Sequence, residues 1–206
     1  MSRLPGREAD GGLPVPVLSV FALGALVGTA LDNLHVRGGV LAYPHPAFFG
    51  EAAWVPLLFG AAAVALVWNH RLLFRAAGER TSGGRFGLAL LGFAAAYAAT
   101  VALRDRPTIA FDVLFAAWLL EVRRSPRLAL HGVGAALVGP LVEAALCRLG
   151  AFHYLAPGEI RGLAVPLWLP ALYLHASVAT AALDLALLAP PSDGALTARY
   201  LGDGGR

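Results

Sequence analysis

Apolar residues in this chain run on without interruption; they neither alternate nor recur on one face. Residues 52–68, AAWVPLLFGAAAVALVW, carry no charge, and stretches of the same kind occupy residues 15–34, 48–69, 86–103, 108–120, 128–147 and 163–188. A helix rises about 1.5 Å per residue and a bilayer's hydrocarbon core is about 30 Å thick, so roughly 20 apolar residues make one crossing. The pattern therefore predicts an all-α integral membrane bundle of six transmembrane helices. The fourth stretch is short, and it crosses only by extending into Glu121 and Val122, by tilt of its neighbours or by local thinning of the bilayer.

Turn formers separate the stretches: Arg37-Gly38-Gly39, Tyr43-Pro44-His45-Pro46, Thr81-Ser82-Gly83-Gly84, Arg106-Pro107, Ser125-Pro126 and Ala156-Pro157-Gly158. No linker is long enough to divide domains. The expected organisation is a tail over residues 1–12, one transmembrane domain over residues 13–188 and a second tail over residues 189–206. The first stretch follows a few charges as a signal peptide would, but it is long and lacks a convincing cleavage site, so it reads as a retained helix. Trp54-Val55-Pro56 recurs as Trp168-Leu169-Pro170. Two helices entering the membrane by the same physics account for this echo better than an ancestral duplication: proline suits a first helical turn, and tryptophan the headgroup boundary.

Composition sharpens the picture. Hydrophobic residues make up 58% of the chain and charged ones 14%, against about a quarter charged in soluble domains, so a water-exposed globule would lack polar surface. The net charge of +3 comes from 16 arginines without a lysine. These arginines sit between apolar stretches, which argues against a nucleic-acid partner and for membrane loops. If the termini share a side, that side holds eleven arginines and the other five: Arg37, Arg104, Arg106, Arg148 and Arg161. Positive charge favours the cytoplasm, which predicts both termini cytoplasmic in a multi-pass protein of the cell (inner) membrane, or of the endoplasmic reticulum membrane in a eukaryote. Abundant Ala, Gly and Arg without Lys points to a GC-rich bacterial genome. The lone Cys147 offers neither a disulfide nor a cysteine metal site.

A charge at the bilayer centre costs about 2.5 to 3.5 kcal/mol even on mild scales, so acidic residues within the stretches need a reason. Asp32, Glu51 and Asp184 lie close enough to the ends of stretches to reach water or headgroups, and Asp112 has Arg104 and Arg106 two turns away as ion-pair partners. Glu143 differs: it sits well inside residues 128–147, just after Gly139-Pro140, where proline frees a carbonyl one turn back. Such a carboxyl faces a protein interior or a wet cavity, as an interhelical hydrogen-bond partner or as a contact for a ligand's headgroup. The six histidines show no metal spacing, and neither a Gly-x-Ser-x-Gly elbow nor an Asp-rich diphosphate motif is present. No cofactor, metal or enzymatic constellation is expected. Gly24 and Gly28 permit close helix approach, within the chain or between copies, so a homo-oligomer is open. Many small residues set against Trp54, Phe59, Phe93, Tyr97, Phe115 and Trp118 leave room for an apolar cleft that admits an acyl chain.

The linear order of motifs resembles the insulin-induced gene (Insig) family of six-span membrane proteins. The resemblance runs through Asp32-Asn33-Leu34-His35-Val36-Arg37 to Tyr43-Pro44, then Ala53-Trp54-Val55-Pro56 with Gly60-Ala61-Ala62-Ala63-Val64. It continues in Glu121-Val122-Arg123-Arg124-Ser125 and in Gly150-Ala151-Phe152-His153-Tyr154 leading to Trp168-Leu169-Pro170, and so covers about residues 13–188. It implies a non-enzymatic six-helix bundle around a central pocket for a diacylglycerol-like or sterol-like lipid. The eukaryotic partners do not carry over, because Val122 separates Glu121 from Arg123 and there is no lysine to ubiquitinate. On this reading acyl chains lie against Trp54, Phe93, Tyr97, Phe115 and Trp118, while Glu143, His175 or Asp32 meets the hydroxyl end. The competing classes are a small integral-membrane enzyme or transporter acting on isoprenoid or lipid substrates, and a solid scaffold.

Overall fold

A computed structural model describes residues 15–74 and 83–187. Six helices follow the apolar stretches: α1 (Val15–Arg37), α2 (Val55–Phe74), α3 (Gly83–Ala102), α4 (Pro107–Val122), α5 (Pro126–Arg148) and α6 (Leu169–Leu187). Five of them are long and apolar enough to cross a membrane, whereas α4 has 16 residues. The expected tails, and Arg75 and Arg80 of the arginine count, lie outside the described residues.

The helix ends follow local chemistry. Pro107 and Pro126 stand in the first turns of α4 and α5, where a missing N–H costs nothing, and the Ser125 hydroxyl accepts from the Leu128 N–H at 3.3 Å. The second helix starts at Val55, later than the apolar pattern predicts, because residues 47–51 close a tight loop first. The Glu51 N–H donates to the Phe48 carbonyl, and Gly50 takes a left-handed φ of 85°. The sixth starts at Leu169 for a similar reason, with Glu159 and Pro166 bridged across the preceding loop.

The all-α expectation needs one correction. Leu41–Ala42 (β1) and His153–Tyr154 (β2) pair antiparallel, Leu41 opposite Tyr154 and Ala42 opposite His153. This ladder ties the α1–α2 connection to the α5–α6 connection over one end of the bundle.

Helix α6 is the axis of the fold: it packs against α2, α3, α4 and α5 and buries most of its surface, including Leu169, Leu172, Leu174 and Leu183. The other helices bury far less, and Leu26, Leu57, Leu88, Leu91, Leu120 and Leu137 are exposed. Such leucines face lipid, which makes the chain a multi-pass membrane protein. Gly24 and Gly28 serve internal contacts: a Cβ at Gly24 would meet Ala63, and one at Gly28 would meet the Phe59 ring, both on α2.

Candidate functional site

Small residues at the helix contacts leave two adjoining cavities under the β1–β2 end. The larger, about 330 Å³, is walled by α2 and α5, with Leu58, Ala62 and Ala65 on one side and Ala135, Val138 and Val142 on the other. The smaller, about 110 Å³, runs down between α1, α2, α3 and α6 along Leu23, Val27, Leu66, Phe86, Phe93 and Leu183. Phe59, Tyr97, Glu143, Leu172 and Tyr173 line both. α2 and α5 make little contact with one another, and Ala61, Ala65, Val138 and Val142, which line the larger cavity, are exposed.

Polar groups gather at one end. The Tyr173 hydroxyl donates to Glu143 Oε1 at 2.7 Å, and the Tyr154 hydroxyl donates to Oε2, so each carboxylate oxygen is engaged by a phenol. Glu143 follows Pro140 on α5, Tyr173 stands in the first turns of α6, and Tyr154 belongs to β2. The nearby Gly139 is required sterically, since a side chain there would collide with the Tyr173 ring. Asp32, near the end of α1 and 5% exposed, accepts from the Tyr43 hydroxyl at 2.7 Å. Burial and then the Glu143 charge push the Tyr154 phenol well above its ordinary value; burial and then Asp32 push Tyr43 up in the same way.

His35 completes the cap by a proton count. Thr100 donates its only hydroxyl proton to the Tyr97 carbonyl at 2.7 Å, so the His35 Nε2–H donates to Thr100 Oγ1, also 2.7 Å away. The ring lies 4.5 Å from that of Tyr97 and 5.4 Å from that of Trp168. Beyond the cavity wall, Glu51 is fully buried, and among the described residues neither carboxyl oxygen has a hydrogen-bond partner. Burial raises its carboxyl above the ordinary range, opposed by the neighbouring Asn33 amide.

Of the residues expected from sequence, Asp32, Phe93, Tyr97 and Glu143 line the cavities, and Tyr97 and Glu143 line both. The other four are placed elsewhere. Trp54 packs edge-on against Tyr43, outside the lining, 5.7 Å between centroids. Phe115 and Trp118 pack against one another along α4 with their rings tilted by 31°, and Trp118 is buried against α5 and α6 beside Gly132 and Ser177. His175 donates through Nε2 to the Leu114 carbonyl at 2.9 Å, and its Nδ1 lies 3.4 Å from Glu121. Tyr173 and His175 are two residues apart, about 200° around a helix, so when one faces the cavity the other faces α4. Asp112 is exposed and shows no ion pair with Arg104 or Arg106; the pair in that region joins Arg104 to Asp105 at 3.7 Å. Sequence reasoning did not single out Tyr43, Tyr154 or Tyr173 as partners for the acids.

The bundle is closely similar to two crystal structures of MvINS, a mycobacterial Insig homologue from Mycobacterium vanbaalenii. Each superposes with a TM-score of 0.77 at 26% identity, covering 87% of this chain and 97% of the other. This is an Insig-like protein. One of the two structures is a cross-linked trimer. No family model matches the Insig-like sequence, and no curated protein does so either.

Chemically, the site of this Insig-like chain offers acceptor oxygens and phenols over an apolar slot. Among the described residues no group of three His, Cys, Asp or Glu side chains is disposed to hold a metal.

Proposed function

We propose that this Insig-like protein is a non-enzymatic lipid receptor of the cell membrane, holding a diacylglycerol-like or sterol-like molecule in the adjoining cavities. The observation that carries the reading is the asymmetry of those cavities: the hydrogen-bonding groups Glu143, Asp32, Tyr97, Tyr154 and Tyr173 collect at one end, and the remaining lining is almost wholly apolar. Such a shape matches a molecule with one hydroxyl-bearing end and a long hydrocarbon body. Acyl chains lie along Phe93, Leu66 and Leu183, and the hydroxyl end meets the unused lone pairs of Glu143 and Asp32.

Sparse packing between α2 and α5 gives the lipid a lateral way in from the bilayer. The excess of arginine on the side of the termini supports six spans with both ends cytoplasmic, which puts the polar end toward the outer leaflet. The trimer of MvINS supports a homo-oligomer for this chain too.

Mass spectrometry of lipid co-purified from the full-length protein in several mild detergents tests this. A stoichiometric neutral lipid is expected; its absence in every detergent overturns the reading in favour of a scaffold. A second reading, a proton-transferring enzyme or transporter for isoprenoid or lipid substrates, draws on the two phenols held against one carboxylate. Glu143→Gln separates the two: a receptor retains lipid with altered affinity, whereas proton transfer falls about 10²-fold or more.

A further inference from the structure

Helix α4 carries an ionisable residue on the wrong side for a lipid-facing helix. Its buried stripe is Ala110, Leu114, Trp118 and Val122, all turned inward toward α6. Asp112 is two residues from both Ala110 and Leu114, which puts it on the opposite face, and it is exposed. Its neighbours Ile109, Val113 and Leu119 are exposed apolar residues, as a lipid-facing surface requires.

Depth makes this placement costly. With 16 residues α4 is about 24 Å long, short of the roughly 30 Å hydrocarbon core, so its ends have no length to spare. Asp112 lies five residues inside Pro107, about 7.5 Å further in, and an aspartate has no stem with which to reach the surface. Among the described residues no side chain hydrogen-bonds or ion-pairs with it. A carboxylate at that depth calls for cover by a cation or a donor that the described residues of this copy do not supply.

We infer that the outer face of α4 is a contact surface between copies of this chain, in which Asp112 of one copy pairs with Arg106 of the next. Arg106 is exposed at the start of α4, and among the described residues its side chain makes no hydrogen bond or ion pair. It stands six residues before Asp112, about 9 Å along the axis, a rise that a guanidinium reaching inward and a carboxylate reaching outward close between two parallel helices. The same helix thus presents both halves of a complementary pair. The ridge around Asp112, Thr108 and Ala116 one turn to either side, is exposed and small enough for close helix approach. The assignment rests on the homo-oligomer reading above and gives it a surface.

The test is single-molecule photobleaching of the full-length chain in phospholipid liposomes, with a fluorophore on a C-terminal tag. Wild type bleaches in several steps per spot. Asp112→Arg weakens association at least tenfold, Asp112→Asn weakens it less, and Asp112→Arg combined with Arg106→Asp restores most of it. Helical content and co-purified lipid, unchanged in each variant, show that the fold is kept. A monomeric wild type overturns both the oligomer and its surface. An oligomeric wild type whose Asp112→Arg variant associates equally well, or whose double variant stays dissociated, overturns the surface alone.

Discussion

Two buried clusters, one at each end of the bundle, neutralise acidic residues by opposite means. Near the β1–β2 end, Glu143 and Asp32 are held by phenols, and empty space adjoins both. Toward the end where α2 and α6 finish, Asp184 accepts from Arg71 Nε at 2.8 Å and meets His70 Nδ1 at 2.7 Å, while the His70 ring lies 5.4 Å from that of His131. His131 in turn contacts Asn69 at 3.0 Å. The second cluster supplies counter-charge and lines neither cavity; the first withholds counter-charge and leaves acceptors at a cavity wall. A carboxylate inside a membrane helix is therefore not one signal but two, and the character of its partners distinguishes a charge-paired acid from one left beside empty space.

The comparison breaks most readily at Asp184. Asp184→Ala removes the carboxylate that Arg71 Nε and His70 Nδ1 contact and lowers stability by about 3 kcal/mol, the low end for breaking a buried pair, because Arg71 is partly exposed and can turn to water. Thermal unfolding in detergent reads this, with lipid per folded molecule unchanged. Glu143→Gln does the reverse: bound lipid falls about tenfold, equivalent to about 1.4 kcal/mol, while the unfolding temperature moves little. If both variants change stability and lipid together, the two ends do not divide the work.

Glu51 belongs to neither solution, and its pH behaviour sharpens the contrast. Its folded-state affinity for a proton is raised by burial, so its contribution is fully present below its ordinary value of 4.5 and is lost as pH climbs through the raised value. Unfolding temperature should fall over that window in wild type and flatten in Glu51→Gln, which is the more stable by about 1 kcal/mol at neutral pH. The smallest effect is Tyr43→Phe, which removes one hydrogen bond to Asp32 and costs about 0.5 to 1 kcal/mol, with a modest loss of lipid.

The helices were legible because unbroken apolar runs have one stable form in lipid, and Glu143 because a carboxyl beside Pro140 stands out against its neighbours. Facing was not legible. Helices that are apolar nearly all round carry no amphipathic signal, so Phe115, Trp118 and His175 on one side and Phe93 and Tyr97 on the other look alike in the sequence. The three phenols were hidden for another reason: Tyr43 and Tyr154 sit in connections, where an aromatic suits the headgroup boundary. Their bonds to Asp32 and Glu143 depend on how connections fold back over the bundle, which periodicity does not record. Gly24 and Gly28 were readable as contact residues, but their partners on α2 emerged only with the packing.

The two-residue β1–β2 ladder acts as a fixed stop in a caliper. By stapling Leu41 to Tyr154 it anchors the zero mark of the slot; on the receptor reading proposed above, differences in tail length are then taken up at the far jaw, near Phe86 and Leu183.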